Sequence, residues 1–257
     1  MKLFHKTYPC TSSESSGSLF ILHGLFGMLD NWHNMARRFS EHFDVITVDQ
    51  RNHGQSPHAD TMSFEEMVED LAELMNHLKI EKAHILGHSM GGKVVMKFAD
   101  IHPDKIEKLI VVDIAPRKYK SGHTTYFEAF RTIDFSQCKS RKDADVALAN
   151  VEENAGIRQF LLKNLERGDS GYKLKLNLKP IEAFYPKMID TLGFQWLINT
   201  PTLFLYGEKS GYITENDMLN IEETFTEAEF VGIPDAGHWV HAEQPEAFYI
   251  ATIEFLQ

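Results

Sequence analysis

Ser89 stands in the stretch Gly87-His88-Ser89-Met90-Gly91, with glycine two residues before it and two after it. An apolar run, "KAHILG", leads in, and "MGGKVVMKFADIHP" leads out with helical character until Pro103. A serine on a sharp turn between a strand and a helix suits covalent catalysis. Side chains at the flanking positions would collide with the helix and the neighbouring strand, so glycine is used. The hydroxyl then projects above the carboxyl edge of a sheet. The backbone N–H of Met90 faces the same way, at a helix start that favours negative charge.

A serine hydroxyl is a weak nucleophile. It needs a base, and the base needs an acid to orient it. On parallel α/β scaffolds with such a turn the chain order is serine, acid, histidine. The histidines after Ser89 are His102, His123, His238 and His241. His102 precedes every candidate acid, and His123 opens a different region of the chain. His238 lies in "IPDAGHWVHAEQPEAF", a loop between the last strand and the last helix, from which a ring can reach back over the sheet. His241 is the second choice, with a packed or exposed loop histidine as its ordinary role. The His-x-x-His spacing lacks a third ligand, so no metal is expected.

Many proteins of this architecture carry the acid after the next-to-last strand, in a Gly-x-x-Asp segment. Here that segment reads "YGEKSGYI", with Ser210 at the aspartate position. Asp113 is the alternative. It ends "KLIVVD", a strand expected beside the serine strand, so its carboxylate should emerge at the same edge. Its ordinary role would be to cap a turn before Pro116, and Glu208 is the competing carboxylate. The second oxyanion donor is sought in "LHGLFG". The N–H of Leu25 is the candidate, with Phe26 behind it. His88 and Trp239 join Phe26 as candidate substrate contacts.

These residues need elements to hold them. "SLFILHG" and "FDVITVDQRNHGQS" read as buried strands that end in glycine turns. In "SFEEMVEDLAELMNHL", Ser63 and Glu66 have capping-box spacing. Phe64, Met67, Val68, Leu71, Leu74, Met75 and Leu78 share one helical face. Further strands follow at "IEKLIVVDIAP", "TPTLFLYG" and "AEFVGIP", with helices near 215–225 and from Gln244 onward, Pro245 sitting in a first turn. Near-continuous apolar strands alternating with helices predict a mostly parallel sheet covered on both faces. The alternation breaks between about 118 and 196, where the reading is helical and rich in aromatics, with turn signals at 168–171 and Pro180. That stretch is expected to be an inserted helical cap, with 1–117 and 197–257 forming the α/β core.

The chain has 257 residues, 43% of them hydrophobic and 25% charged, enough for one large α/β domain with an insertion. The formal net charge of -11 disfavours nucleic acid and anionic membranes as partners. Cys10 and Cys138 form no metal pattern and read as free thiols. No signal-peptide or membrane-spanning run stands out, so a cytoplasmic protein is expected.

Together, "HGLFG", "DQRNHGQSP", "GHSMGG", "VVDIAP" and "AGHWVHAEQP" resemble the α/β-hydrolase superfamily. Within it they are similar to the YbfF-type bacterial esterases and their mitochondrial relative, α/β-hydrolase domain protein eleven. The resemblance spans nearly the whole chain. Similar proteins place the acid after the sixth strand, in line with Asp113. The resemblance implies an α/β-hydrolase fold and hydrolysis of carboxylic esters, with acyl-CoA thioesters in the candidate range. It implies a framing role for Asp49 and Arg51. No cofactor is expected; the partner is a small-molecule ester or thioester. The expected route is attack by Ser89, an acyl-enzyme, and release by water, with activity rising with pH through an apparent value of roughly 6–7. The rivals are C–C hydrolysis, perhydrolysis or a menaquinone-pathway lyase on the same serine, and a catalytically silent ligand-binding module.

Overall fold

Apolar side chains alternate along the central strands and point to two separate cores. In the strand Ser18–Leu22, Leu19 and Ile21 join one cluster, and Phe20 and Leu22 join the other. The computed structural model describes residues 1–257. Its main sheet contains β1 (His5–Tyr8), β2 (Ser18–Leu22), β3 (Asp44–Val48), β4 (Ala83–His88), β5 (Ile106–Val112), β8 (Thr202–Gly207) and β9 (Ala228–Ile233). The order across the sheet is β1-β3-β2-β4-β5-β8-β9. Only β1 runs antiparallel to its neighbour. This is the α/β-hydrolase fold expected from the sequence.

Helices cover both faces. α1 (His33–Phe39) and α10 (Pro245–Leu256) pack on one, while α2 (Phe64–Leu78) and α3 (Met90–Ile101) pack on the other. α8 (Glu215–Glu222) and the single-turn α9 (Val240–Glu243) complete the carboxyl-terminal part. Ser63 caps α2 by accepting the N–H of Glu66 at 3.1 Å. Half of the expected capping box is therefore present. The Glu66 carboxylate turns instead to Arg51, at 2.7 Å, and to the Thr61 hydroxyl.

Between β5 and β8 the chain leaves the main sheet and forms α4 (Thr124–Thr132), α5 (Arg141–Ala149), α6 (Ala155–Leu162) and α7 (Leu178–Met188). A small antiparallel hairpin, β6 (Leu165–Arg167) with β7 (Tyr172–Leu174), stands among them. The sequence predicts only a turn at 168–171. Gly171, at φ 80°, closes the hairpin so near Ser136 O that a Cβ would sit 2.1 Å away. Two other elements carry no clear sequence signal. β1 is a half-exposed edge strand with little apolar content, and α1 follows Trp32 at its N-cap, which makes no side-chain cap bond. Both cysteines are free, and no helix is long and apolar enough to cross a membrane.

The sheet order reverses between β2 and β4: the chain goes from β2 outward to β3, then returns to β4 on the other side. The loops that leave β2 and β4 diverge there and open a crevice at the carboxyl ends of the strands. Those two loops carry Leu25 and Ser89.

Candidate active site

Ser89 is held at φ 54° and ψ −116° between β4 and α3, a strained conformation for a residue with a side chain. The turn closes so tightly that a Cβ on Gly91 would lie 2.6 Å from Leu22 O, and one on Gly87 would lie 2.3 Å from Gly91 O. These contacts explain both glycines physically. The Ser89 N–H donates to Val112 O at 3.0 Å, which locks the turn to the end of β5. Met90 opens α3, in the first turn, where N–H groups lack intrahelical partners. Its side chain is in the core.

Asp113 follows β5, the fifth strand in chain order of this seven-stranded sheet. It too has positive φ, at 50°. Its carboxylate is fully buried and makes three contacts. Oδ2 lies 2.7 Å from Nδ1 of His238. Oδ1 accepts the Ser210 hydroxyl at 2.6 Å and the Gly207 N–H at 3.1 Å. The Ser210 hydroxyl in turn accepts the N–H of Tyr212 at 3.2 Å. Glu208, the competing carboxylate, is exposed and makes no such contact.

His238 lies in the loop after β9, its side chain 17% exposed. The loop is gripped from several directions. The Glu243 carboxylate accepts the N–H of Gly237 at 2.8 Å and of Trp239 at 3.2 Å, one on each side of the histidine. Nε2 of His88 lies 2.8 Å from His238 O, so His88 donates there. The ring of Tyr212 stacks on the His238 ring at 4.1 Å and 21°. With Nδ1 bonded to Asp113, the other nitrogen of His238 carries no protein hydrogen bond. The hydroxyl of Ser89 likewise has none, and both residues line one cavity of about 720 Å³.

The turn after β2 is braced by a buried histidine. His23 Nδ1 donates to Gly24 O at 2.8 Å, and its Nε2 accepts the N–H of Gln50 at 3.1 Å. Gly27 N–H closes the turn on Gly24 O at 2.9 Å, and the N–H groups of Leu25 and Phe26 have no protein partner. A Cβ on Gly24 would lie 3.1 Å from the Cβ of Ser89, so the turn lies directly against the serine. Asp49 holds the next loop through Leu29 N–H at 2.7 Å and Gln55 N–H at 2.8 Å. Arg51 pairs with Asp70 at 2.6 Å.

Several histidines ring this cavity, and burial keeps most of them neutral. Burial pushes His23 down to about 3 and His241 down to about 3. His88 is held well below its ordinary range by burial first, then by the neighbouring His238 and His241. His123, bonded to the Tyr185 hydroxyl at 3.0 Å, is pushed down to about 4 by burial. His241 stacks flat on Trp32, with ring centroids 4.0 Å apart. His238 alone among them bonds a carboxylate.

Phe26 is buried, its ring edge-on to Phe127 at 5.0 Å and Phe130 at 5.4 Å from α4. Trp239 and Phe160 line the cavity together, with ring centroids 5.8 Å apart. Glu243 and Tyr212 carry no sequence signal for the contacts they make here. Their contacts to the site run through backbone groups and ring faces, which no residue spacing announces. A smaller cavity of about 380 Å³, beside Trp196 and Pro201, contains none of the residues above.

The model of the α/β hydrolase fold family matches residues 17–245. The chain belongs to the α/β-hydrolase family. Within that family it stands with the YbfF/ABHD11-type esterases and is a carboxylesterase-like hydrolase. It is 38% identical over 251 residues to an sn-1-specific diacylglycerol lipase ABHD11 of Danio rerio, covering 94% of this chain and 79% of that protein. It is 33% identical over 258 residues to the esterase YbfF of Escherichia coli, covering 100% of this chain and 99% of the relative. Among solved structures, a marine microorganism esterase superposes with a TM-score of 0.94 at 44% identity, covering 99% of both chains.

Proposed function

We propose that this α/β-hydrolase cleaves carboxylic esters through Ser89, His238 and Asp113, with an acyl-enzyme on Ser89. The observation that carries the reading is the 2.7 Å contact of His238 Nδ1 with the buried Asp113 carboxylate, in a cavity that also contains the strained Ser89. An acceptor on Nδ1 fixes the tautomer in which Nε2 is free to take a proton.

Ser89 Oγ attacks the acyl carbon while His238 Nε2 takes its proton. The carbonyl π electrons move to oxygen, and the N–H groups of Leu25 and Met90 hold that oxyanion. Collapse breaks the bond to the leaving oxygen, which takes the proton from His238. Water then attacks the acyl-enzyme, His238 takes its proton, and the acid departs as Ser89 regains its own. Ser89 and His238 share no hydrogen bond before substrate binds. That separation is common in free enzymes, where catalytic contacts tighten in the substrate complex.

The segment between β5 and β8 serves as a cap in this reading. Phe26, Tyr126, Ile157, Phe160 and Trp239 give the cavity an apolar side suited to an acyl chain. Two relatives bear lipase and esterase names, consistent with an apolar acyl group. Thioesters belong to the same chemistry, because the attack is on the same carbonyl and a thiolate leaves more readily than an alkoxide. No step uses a metal or cofactor.

The decisive experiment combines stoichiometric labelling by a fluorophosphonate with turnover of short nitrophenyl esters. Wild type should label at one serine, and Ser89→Ala should neither label nor turn over. Full turnover by Ser89→Ala would overturn the reading. A panel of alcohol esters and acyl-CoA thioesters of graded length then fixes the leaving group and chain length.

A further inference from the structure

Asn164 lies 138 residues from Phe26 in the chain and is bonded to it in space. It follows α6, in the segment between β5 and β8, and is fully buried. Its Nδ2 donates to Phe26 O at 2.7 Å and to Leu161 O at 3.2 Å. Its own backbone is fixed as well: the N–H donates to Leu161 O at 3.1 Å, and the carbonyl accepts Lys175 N–H at 2.8 Å. The amide is therefore a rigid arm reaching from the cap segment to the turn after β2.

The carbonyl it holds is a sensitive one. Phe26 adopts φ 59°, the left-handed region that a residue with a side chain occupies only when its surroundings impose it. The Phe26 carbonyl and the Gly27 N–H belong to one rigid peptide plane. That N–H closes the turn on Gly24 O at 2.9 Å. Fixing the Phe26 carbonyl thus fixes the plane that closes the turn, and with it the direction of the unpaired Leu25 N–H. The other atom of the Asn164 amide, Oδ1, is buried without a partner. A leucine of similar size would fill the space and bury no unpaired oxygen. Leu161 O also accepts the Asn164 backbone N–H, so what the amide adds that the backbone does not is the donor to Phe26 O.

We infer that Asn164 is a positioning residue for the oxyanion turn, through which the cap segment sets how well the Leu25 N–H meets the developing oxyanion. This rests on the proposed reading of Leu25 as an oxyanion donor. Interactions with the oxyanion act in the transition state and not on the bound ester. Loss of the arm should therefore lower kcat and leave KM in place.

The test compares wild type with Asn164→Leu, which keeps the volume and removes the donor. Asn164→Ser, smaller and polar, is the second variant should the first fail to fold. Each is measured for kcat and KM on a nitrophenyl ester, for inhibition by an alkylboronic acid that forms a tetrahedral adduct with Ser89, and for binding of the unreactive ether analogue. The expected result is a fall in kcat of about tenfold to a hundredfold, the scale of a small displacement of catalytic groups. The boronate should weaken by the same factor, while KM and ether binding stay within about threefold of wild type. Folded variants with unchanged kcat and boronate affinity would overturn the inference, as would equal weakening of ether and boronate. If these variants match wild type while Ser89→Ala is inactive, only this inference falls. An active Ser89→Ala would remove the underlying reading first.

Discussion

The Ser210 hydroxyl donates to Asp113 Oδ1 at 2.6 Å, so a residue on the loop after β8 touches the carboxylate that follows β5. Two loops therefore meet at one buried point. Ser210 stands where an aspartate would complete the alternative arrangement, and Asp113 supplies the carboxylate from the neighbouring strand. In the proposed triad the sheet edge offers two origins for the acid, and this chain fills one with a carboxylate and the other with its hydrogen-bond donor.

That geometry makes the acid transferable. Asp113→Asn should lower kcat by about 10³–10⁴-fold, because an amide favours the wrong histidine tautomer. Adding Ser210→Asp to Asp113→Asn should recover at least tenfold of that loss, since the side chain at 210 already reaches the site. Glu208→Gln should change kcat less than twofold. Steady-state kinetics on one nitrophenyl ester checks all three. A double variant no faster than Asp113→Asn alone would show that position 210 cannot orient His238.

Glu243 holds the His238 loop through the N–H groups of Gly237 and Trp239. Glu243→Gln keeps one acceptor and turns an NH₂ group toward the other N–H. Turnover should fall about tenfold, with KM unchanged and the melting temperature within a few degrees, because the carboxylate is exposed and its contacts are to one loop. The rate of fluorophosphonate labelling should fall with turnover, since both need His238 in place. Unchanged labelling would separate Glu243 from the chemistry.

How much of this was legible beforehand follows from the range over which each signal acts. The turn at Ser89 was readable because its requirements are local: an apolar strand, two glycines and a helix start within a few residues. Elimination points to Asp113, since Ser210 occupies the other candidate position, and the Asp113 carboxylate lies 2.7 Å from His238 Nδ1. β1 was not readable, because an edge strand is only half buried and His5–Tyr8 carries little apolar pattern. Nor was the 165–174 hairpin, whose three-residue strands are too short to show a period. Asn164 and Phe26 are 138 residues apart, and the bond runs to a backbone carbonyl that any residue would present. Such contacts leave no mark on residue type at the receiving end.

The neutral buried histidines at and behind the cavity predict loss of stability in mild acid. His23 and His241 are pushed down to about 3, and His53 and His123 to about 4, all by burial. In the unfolded chain each titrates near 6.5. Below that pH the unfolded state binds protons that the native state refuses, so stability falls as pH drops toward the native values. Each histidine contributes a slope of up to about 1.4 kcal/mol per pH unit. Urea midpoints should therefore fall steeply from pH 7 to pH 5. His241→Phe keeps a flat ring against Trp32 and removes one proton site, so its profile should be shallower. A profile parallel to wild type would show that His241 is not held neutral.

Two buried lysines on α3 tie down both ends of the segment between β5 and β8, and one of them predicts an alkaline effect. Lys93 Nζ donates to Arg117 O at 3.1 Å and Asp190 O at 2.5 Å. One turn later Lys97 Nζ donates to Gly193 O at 3.0 Å and pairs with Asp100 at 2.7 Å. Burial lowers Lys93 from 10.5 to about 8, against the pull of Asp190. Below pH 8 both native and unfolded states carry the proton, and the native state bears the full penalty of a buried charge. Between about 8 and 10.5 the native state has released the proton and the unfolded state still holds it, so stability rises with pH across that window. Lys93→Met removes the titration and leaves two carbonyls without their donor. Its stability deficit relative to wild type should widen between pH 8 and pH 10, by up to about 1.4 kcal/mol per pH unit. Urea unfolding of both proteins at pH 7, 8, 9 and 10 measures the difference directly. A deficit that stays constant, or narrows, would mean that the Lys93 ammonium keeps its proton throughout and acts only as a fixed tether.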